Sequence, residues 1–419
     1  MCSEALGTPM TQTTTYFKSD GQLDLTGVRV ARISTVPFFV IAQLKTQIEE
    51  LTALGAEVTV VSSDGPELHG PGLIHGVNWK VLEIARSLSP IKDLFSLVLL
   101  YKFFRSSGIH IAHSTTPKAG LLTAIAAYLA GVPVRVHTFT GQPWVNMHGI
   151  KRWVVRGCDR LIGLLNTTCY ADSMSQRDFL VECGLLKPDQ ISVIGAGSLA
   201  GVDVGRFSKA HFPSELCQEL RKSLGIPQTA PVLLFVGRIT SEKGVRELIQ
   251  AFAGLKRSGS LAHLVIVGGF DNTGGVPGSI TPEEITGHQD THIVGYTACP
   301  EAYMAIADLL CLPSYREGFG TVVIEAAAMG LPTVGTQIYG LSDAVLNGQT
   351  GILVAPRQSE ALQAALQTLL ADDELRSRMG ELAKLRAKSL FDAKIVNQAV
   401  VLQYLDLLTR QQSSMGITP

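Results

Sequence analysis

Short β-branched apolar runs alternate with helix-forming stretches from Val28 to Val354, and this alternation restricts the possible folds more than any other feature of the chain. Strands separated by helices cannot pair as tight hairpins. They need crossovers, and the outcome is parallel sheet flanked by helices. The expected strands of the first half are 28–33, 57–61, 79–84, 109–113, 134–138, 169–171 and 191–194. Those of the second half are 232–236, 263–267, 291–294, 309–312, 332–334 and 351–354. Helices fit between them, as at 41–54, where Gly55 stands ready as a left-handed stop.

A length of 419 residues is long for one core and comfortable for two. The polar stretch 203–231, with Pro213, Pro227 and a short helix at 214–224, is the expected junction. The domains expected are therefore a flexible Thr-rich leader at 1–26, a first domain at 27–213, a second at 214–390, and a closing helix and tail at 391–419. The fold class is α/β: two facing, Rossmann-like, doubly wound parallel sheets, with a cleft where the carboxyl ends of the strands meet.

Lys plus Arg number 35 and Asp plus Glu 36, so a net charge of -1 offers no global case for nucleic acid. The distribution is uneven: residues 80–160 hold eleven Lys or Arg against three acids, a local net charge of +8. Two segments there, 92–105 and 151–160, mix apolar, aromatic and basic residues as interfacial helices do, although core-facing helices with basic edges share that composition. The uncharged run 119–134 is 16 residues long and contains Gly131 and Pro133, short of the ~20 needed to span a bilayer. The N-terminus lacks a basic region followed by an apolar one, so a cytoplasmic location is expected. Seven cysteines are scattered without a C-x-x-C, which fits reduced buried thiols.

The glycine run 195–201 has the wrong spacing for a dinucleotide fingerprint and opens no helix. Phe235–Val245, FVGRITSEKGV, is more informative. Arg238 and Lys243 follow an apolar strand and precede a helix, where the helix dipole disfavours cations. An anion such as a diphosphate, held by guanidinium, ammonium and helix N–H groups, would reverse that penalty.

In Tyr315–Thr336, YREGFGTVVIEAAAMGLPTVGT, a loop carries Glu317 and a helix capped by Gly320 or Thr321 carries Glu325. Two carboxylates could be a catalytic pair, a metal site, a sugar grip or solvated surface. A glycosidase pair must face one bond, which Glu325 inside a helix does poorly, and a metal site wants more carboxylates or histidines. A carboxylate also accepts two vicinal hydroxyls in a fork, and Gly318 and Gly320 permit close backbone approach. His137 ends a first-half strand; it is either a core histidine or a residue facing the second domain.

Gly237-Arg238-x4-Lys243-Gly244, Pro313-Ser314-x2-Glu317-Gly318-Phe319-Gly320 and the E-x7-E spacing of Glu317 and Glu325 resemble the retaining glycosyltransferases of family four, of GT-B fold. The resemblance implies that Arg238 and Lys243 hold the donor diphosphate. It gives Glu317 the hydroxyls of the transferred sugar, Gly318, Phe319 and Gly320 further backbone contacts to that sugar, and Thr321 a place among the donor-binding residues. Glu325 would bind the ribose, the base would rest by Val294 in the loop 292–296, and His137 would be the first-domain histidine near the transferred sugar. Ser34–Phe39 stands where the family carries a Gly-rich loop.

The segments HTFTGQPW, SQRDFL and GAGSLAGVD further resemble bacterial transferases that extend undecaprenyl-diphosphate-linked sugars. What this implies is transfer of a hexosyl group, with retention, from a nucleoside-diphosphate sugar, UDP-linked, to a lipid-linked saccharide of O-antigen, capsule or N-glycan. The site would be peripheral to the inner membrane at its cytoplasmic face, with no metal and no cofactor. The alternatives are a nucleotide-sugar epimerase and a noncatalytic nucleotide-sugar-binding partner.

Overall fold

The computed structural model describes residues 16, 23–70, 73–85, 89–270 and 280–414. The chain forms two compact units, one of residues 1–200 with 395–419 and one of residues 201–394.

The first unit is built on a seven-stranded sheet of order β3-β2-β1-β4-β5-β6-β7. Its strands are β1 Arg29–Ile33, β2 Glu57–Ser62, β3 Asn78–Val81, β4 Ile111–Ser114, β5 Val134–Phe139, β6 Thr168–Ala171 and β7 Ile191–Val193. All pairings are parallel. The second unit has a six-stranded parallel sheet of order β10-β9-β8-β11-β12-β13. Its strands are β8 Val232–Val236, β9 His263–Val267, β10 Thr291–Gly295, β11 Leu309–Leu312, β12 Thr333–Thr336 and β13 Gly351–Val354. Each expected strand has its counterpart. The reason is local: both sheets are covered on both faces, so strands read as uninterrupted apolar runs such as VLLFV and HLVIV.

The helix at 41–54 is not one regular helix: Val40–Leu44 is a π-helical turn between Pro37–Phe39 and Lys45–Ala53. The units part at residues 200 and 201, ahead of the expected 213, because Val202 and Phe207 are core residues of the second unit. Val202 N donates to Phe391 O at 2.7 Å and Ala393 N to Val202 O at 2.9 Å, which ties that segment to the end of the second unit.

The closing helix Ala393–Ser414 is no independent tail. Val400, Val401, Tyr404, Leu405 and Leu408 bury in the first unit's core beside β1 and β4 residues. There the fully buried Arg32 donates through Nη1 to Tyr404 Oη and meets His113 Nδ1, both at 2.7 Å. Part of the expected leader is also packed: Leu25 is fully buried and Tyr16 Oη accepts from Gln412 Nε2 at 3.0 Å. Residues 1–15 and 17–22 of the leader lie outside the described residues.

Candidate functional site

In the second unit the chain runs outward from β8 through β9 to β10, then returns to place β11 on the other side of β8. The loops that follow β8 and β11 therefore diverge from a topological switch point, the position at which open α/β sheets bind ligands. These are the two loops that carry the sequence motifs.

They are joined by direct contacts. Tyr315 N donates to Glu242 O at 2.8 Å, and Arg316 Nη2 reaches Glu242 Oε2 at 2.8 Å. Gly244 adopts φ +66°, and a Cβ on it would lie 2.0 Å from Pro313 O, so only glycine allows the loops to touch here. The Ser241–Lys243 turn then presents Lys243, whose Nζ donates to Glu317 Oε1 at 2.5 Å. The same oxygen accepts from Ser314 Oγ at 2.7 Å. Ser314 is itself fully buried, and its carbonyl accepts from Thr336 Oγ1 on β12. Behind the loop, a Cβ on Gly340 would come within 2.7 Å of Gly318 O and 2.8 Å of Glu317 O. Glu317 is thus held from three sides, and one oxygen carries two donors.

Arg238 stands exposed just past β8. Two cations before a helix do not by themselves call for an external anion here, because Glu317 already supplies a carboxylate to one of them. What the geometry offers a diphosphate is an ammonium that can be shared and a guanidinium at the same strand end.

Gly320, φ +88°, is the N-cap of the helix Thr321–Ala328, and Thr321 is its first residue. Phe319 is 2% exposed and lies edge-on to Phe391 at 5.1 Å between centroids, so its ring belongs to the core and only its backbone is available to a ligand. Glu325 sits one turn into the helix. Burial chiefly, with Glu301 adding, pushes its carboxyl up to about 7, while Arg206 pulls the other way. Arg206 grips Glu301 in a two-pronged pair, Nε to Oε1 and Nη2 to Oε2, each 2.9 Å. Near neutrality Glu325 is divided between acid and carboxylate, able both to donate and to accept.

Val294 lies on the edge strand β10, in a bulge where pairing with β9 shifts between Ile293 and Gly295. Beside it His292 stacks on His263, with Nε2 3.0 Å from His263 Nδ1.

His137 is in the first unit, on β5, and is 1% exposed. Its Nδ1 pairs with Ser114 Oγ at 2.9 Å, its ring meets Phe139 edge-on at 4.6 Å, and a Cβ on Gly120 would lie 2.4 Å from its Cε1. Burial lowers its pKa to about 3, so it is neutral across the working range.

Five residues escaped the sequence reading of the site: Glu242, Ser314, Gly340, Arg206 and Glu301. Ser314 was visible within its motif but had no assigned task. The others act through contacts between loops distant in sequence, which no local pattern records.

The chain matches the family description "Glycosyl transferases group 1" over residues 217–386 and "Glycosyl transferase 4-like domain" over residues 41–197. It is 28% identical over 371 residues to the capsular polysaccharide biosynthesis glycosyltransferase CapM of Staphylococcus aureus, covering 88% of this chain and 95% of that protein. To the D-inositol 3-phosphate glycosyltransferase of Corynebacterium glutamicum (strain R) it is 35% identical over 200 residues, 46% of each chain. Among solved structures, Anabaena Alr3699/HepE in complex with UDP and glucose superposes with a TM-score of 0.71 at 20% identity, over 90% of this chain and 99% of that one, which bears on the fold alone. With both sheets, both switch-point loops and both family matches in agreement, the chain belongs to the group 1 glycosyltransferases, the retaining family four with the GT-B fold.

Proposed function

We propose that this transferase moves a hexosyl group from a nucleoside-diphosphate sugar, UDP-linked, to a lipid-diphosphate-linked saccharide during assembly of a surface glycan. The observation that carries the donor half is the Lys243–Glu317 contact at the switch point, an ammonium and a carboxylate 2.5 Å apart on two interlocked loops. A cation for phosphate and an acceptor for sugar hydroxyls are thereby set side by side. Support for the donor class comes from the neighbour solved with UDP and glucose, and support for a surface glycan from the capsular relative.

In this reading, breaking the anomeric bond builds negative charge on the diphosphate oxygen, and Lys243 with Arg238 stabilises it more in the transition state than in the ground state. Glu317, immobilised by Ser314, accepts from the sugar hydroxyls and fixes the ring's orientation. The backbone of Gly318 to Gly320 lies against the same ring, Glu325 accepts from the ribose, and Val294 borders the base. The sugar's new bond forms on the face the diphosphate leaves, and the departing phosphate takes the acceptor's proton. His137, neutral, acts as a hydrogen-bonding group and not as a cation.

Incubating the purified chain with a panel of UDP-sugars and lipid-diphosphate saccharides, and reading the product's anomeric coupling by NMR, tests the proposal. A new α-linked lipid saccharide from an α-linked donor supports it. Interconversion of the donor sugar without any acceptor would mark an epimerase instead, and UDP-sugar binding without turnover a noncatalytic partner.

A further inference from the structure

We propose that the helices Pro90–Ser107 and Gly149–Leu165 of the first unit form a docking surface for an anionic lipid bilayer. The inference deepens the lipid-linked acceptor reading, on which it rests for its purpose, by naming the surface that meets the membrane.

Besides the residues they bury, such as Leu100, Phe103 and Phe104, both helices carry an apolar stripe on their outward face. On Pro90–Ser107 the exposed side chains are Ile91 (86%), Leu94 (62%), Phe95 (64%), Val98 (42%) and Tyr101 (38%), which recur at helical spacing along one face. The same helix buries a serine: Ser96 Oγ donates to Glu83 O at 2.5 Å and to Lys92 O at 2.8 Å. On Gly149–Leu165 the outward stripe is Ile150 (84%), Trp153 (77%), Val154, Leu161 and Leu164, while Asp159 is buried and accepts from Trp144 Nε1 at 2.7 Å. A helix whose outer face met only water would carry polar residues along it.

The two stripes share one side of the sheet. The crossovers β3 to β4, β4 to β5 and β5 to β6 all advance in the same direction across the sheet, so right-handed connections put their helices in one layer. The middle helix, Pro117–Ala130, packs against both and adds exposed Tyr128 and Leu129 at its end.

Charge selects the occupant. The acids on these three helices are Asp93, held by Lys118 at 2.6 Å, and the buried Asp159. The exposed Lys102, Arg105, Lys151, Arg152 and Arg160 make the rim of the apolar face positive. A second copy seated face to face would oppose cation to cation, whereas anionic headgroups are attracted to such a rim and the aromatic Trp153 and Tyr101 suit the interface. Among the described residues no helix is long and apolar enough to cross a membrane, so these helices lie on the surface and do not span it.

The test uses the full chain and sedimentation with phosphatidylcholine vesicles with and without phosphatidylglycerol. Expected are capture by the anionic vesicles only, release by high salt, and quenching of tryptophan fluorescence by bilayer-embedded quenchers that disappears in Trp153→Phe. Phe95→Glu with Trp153→Glu, both exposed and so harmless to folding, weakens capture by about tenfold or more. Undiminished capture of the double variant, absence of capture by the wild type, or a wild-type dimer abolished by the double variant would each overturn the proposal. Activity of the double variant on a short-chain, water-soluble lipid-diphosphate saccharide stays at the wild-type level. Vesicle capture by a wild type that glycosylates no such acceptor refutes the functional reading and leaves the docking surface standing.

Discussion

Lys243 Nζ donates to Glu317 Oε1 across 2.5 Å, with side chains 21% and 13% exposed, so the cation and the carboxylate of the two motif loops neutralise one another directly. Replacing one changes the ionic surroundings of the other.

Lys243→Ala is expected to lower kcat by about 100- to 1000-fold through loss of diphosphate stabilisation, while the circular dichroism spectrum is retained. Lys243→Arg restores the charge but not the compact contact with Glu317 and recovers only part of the rate. Wild-type turnover in the alanine variant, measured under saturating donor, would exclude the phosphate role.

Glu325, with its carboxyl near 7, makes both binding and stability depend on pH. In the proposed role a ribose hydroxyl donates to the ionised form, so UDP affinity by isothermal titration should rise from pH 6 to pH 8 in the wild type and stay flat in Glu325→Gln. The folded acid holds its proton at a pH where the unfolded chain has lost it, so its contribution to stability declines as pH rises from the ordinary carboxylate range towards 7. The melting temperature of Glu325→Gln relative to wild type should therefore improve between pH 5 and pH 8. A constant difference would contradict the burial-raised pKa.

His137 has the opposite linkage. Its folded pKa, about 3, lies below the ordinary histidine value near 6.5, so the unfolded chain binds a proton that the native one refuses. It withdraws stability as pH falls below ~6.5. His137→Gln should lose less stability than wild type between pH 7.5 and pH 5 in denaturant titrations, and the His137 ring resonances should not titrate from pH 5 to pH 9. A kcat/KM limb that vanishes in this variant would show that it does ionise.

Gly244→Ala places a Cβ 2.0 Å from Pro313 O at φ +66°, which the backbone must move to relieve. A cost of about 1–3 kcal/mol or more is expected from the left-handed residue and the clash together, read from the urea midpoint. Because the same contact joins the two motif loops, UDP affinity should fall as well. Gly225→Ala, also left-handed at φ +69° but with nothing within 4 Å, separates the two effects by losing stability alone.

The parallel sheets were legible because strand formation here depends on contiguous runs such as Leu309–Leu312, whose apolar character is local. The candidate site was legible to the extent that it lies at two strand-to-helix junctions: Arg238, Lys243 and Glu317 stand out as charges in the loops, and Glu325 as a charge one turn into the following helix. The tasks of Ser314 and Gly340 were not, since a buried hydroxyl aimed at Glu317 and a missing Cβ behind it are relations between segments. Phe319 shows the converse limit. A residue inside a motif expected to contact a ligand turned its ring into the core against Phe391, some seventy residues later in the chain.

By itself the sequence determined the order of strands and helices, the two-sheet class and the two loops that carry the motif charges, all properties of short range periodicity and of residue type. Tertiary structure alone decided that Lys243 pairs with Glu317, that Glu325 is held near neutrality, and that the closing helix returns Tyr404 to Arg32 in the first unit. It also decided that Phe95 and Trp153 face outward. Amphipathic composition states that a helix has two faces. Which one meets the core depends on the neighbours that chain crossovers bring to it.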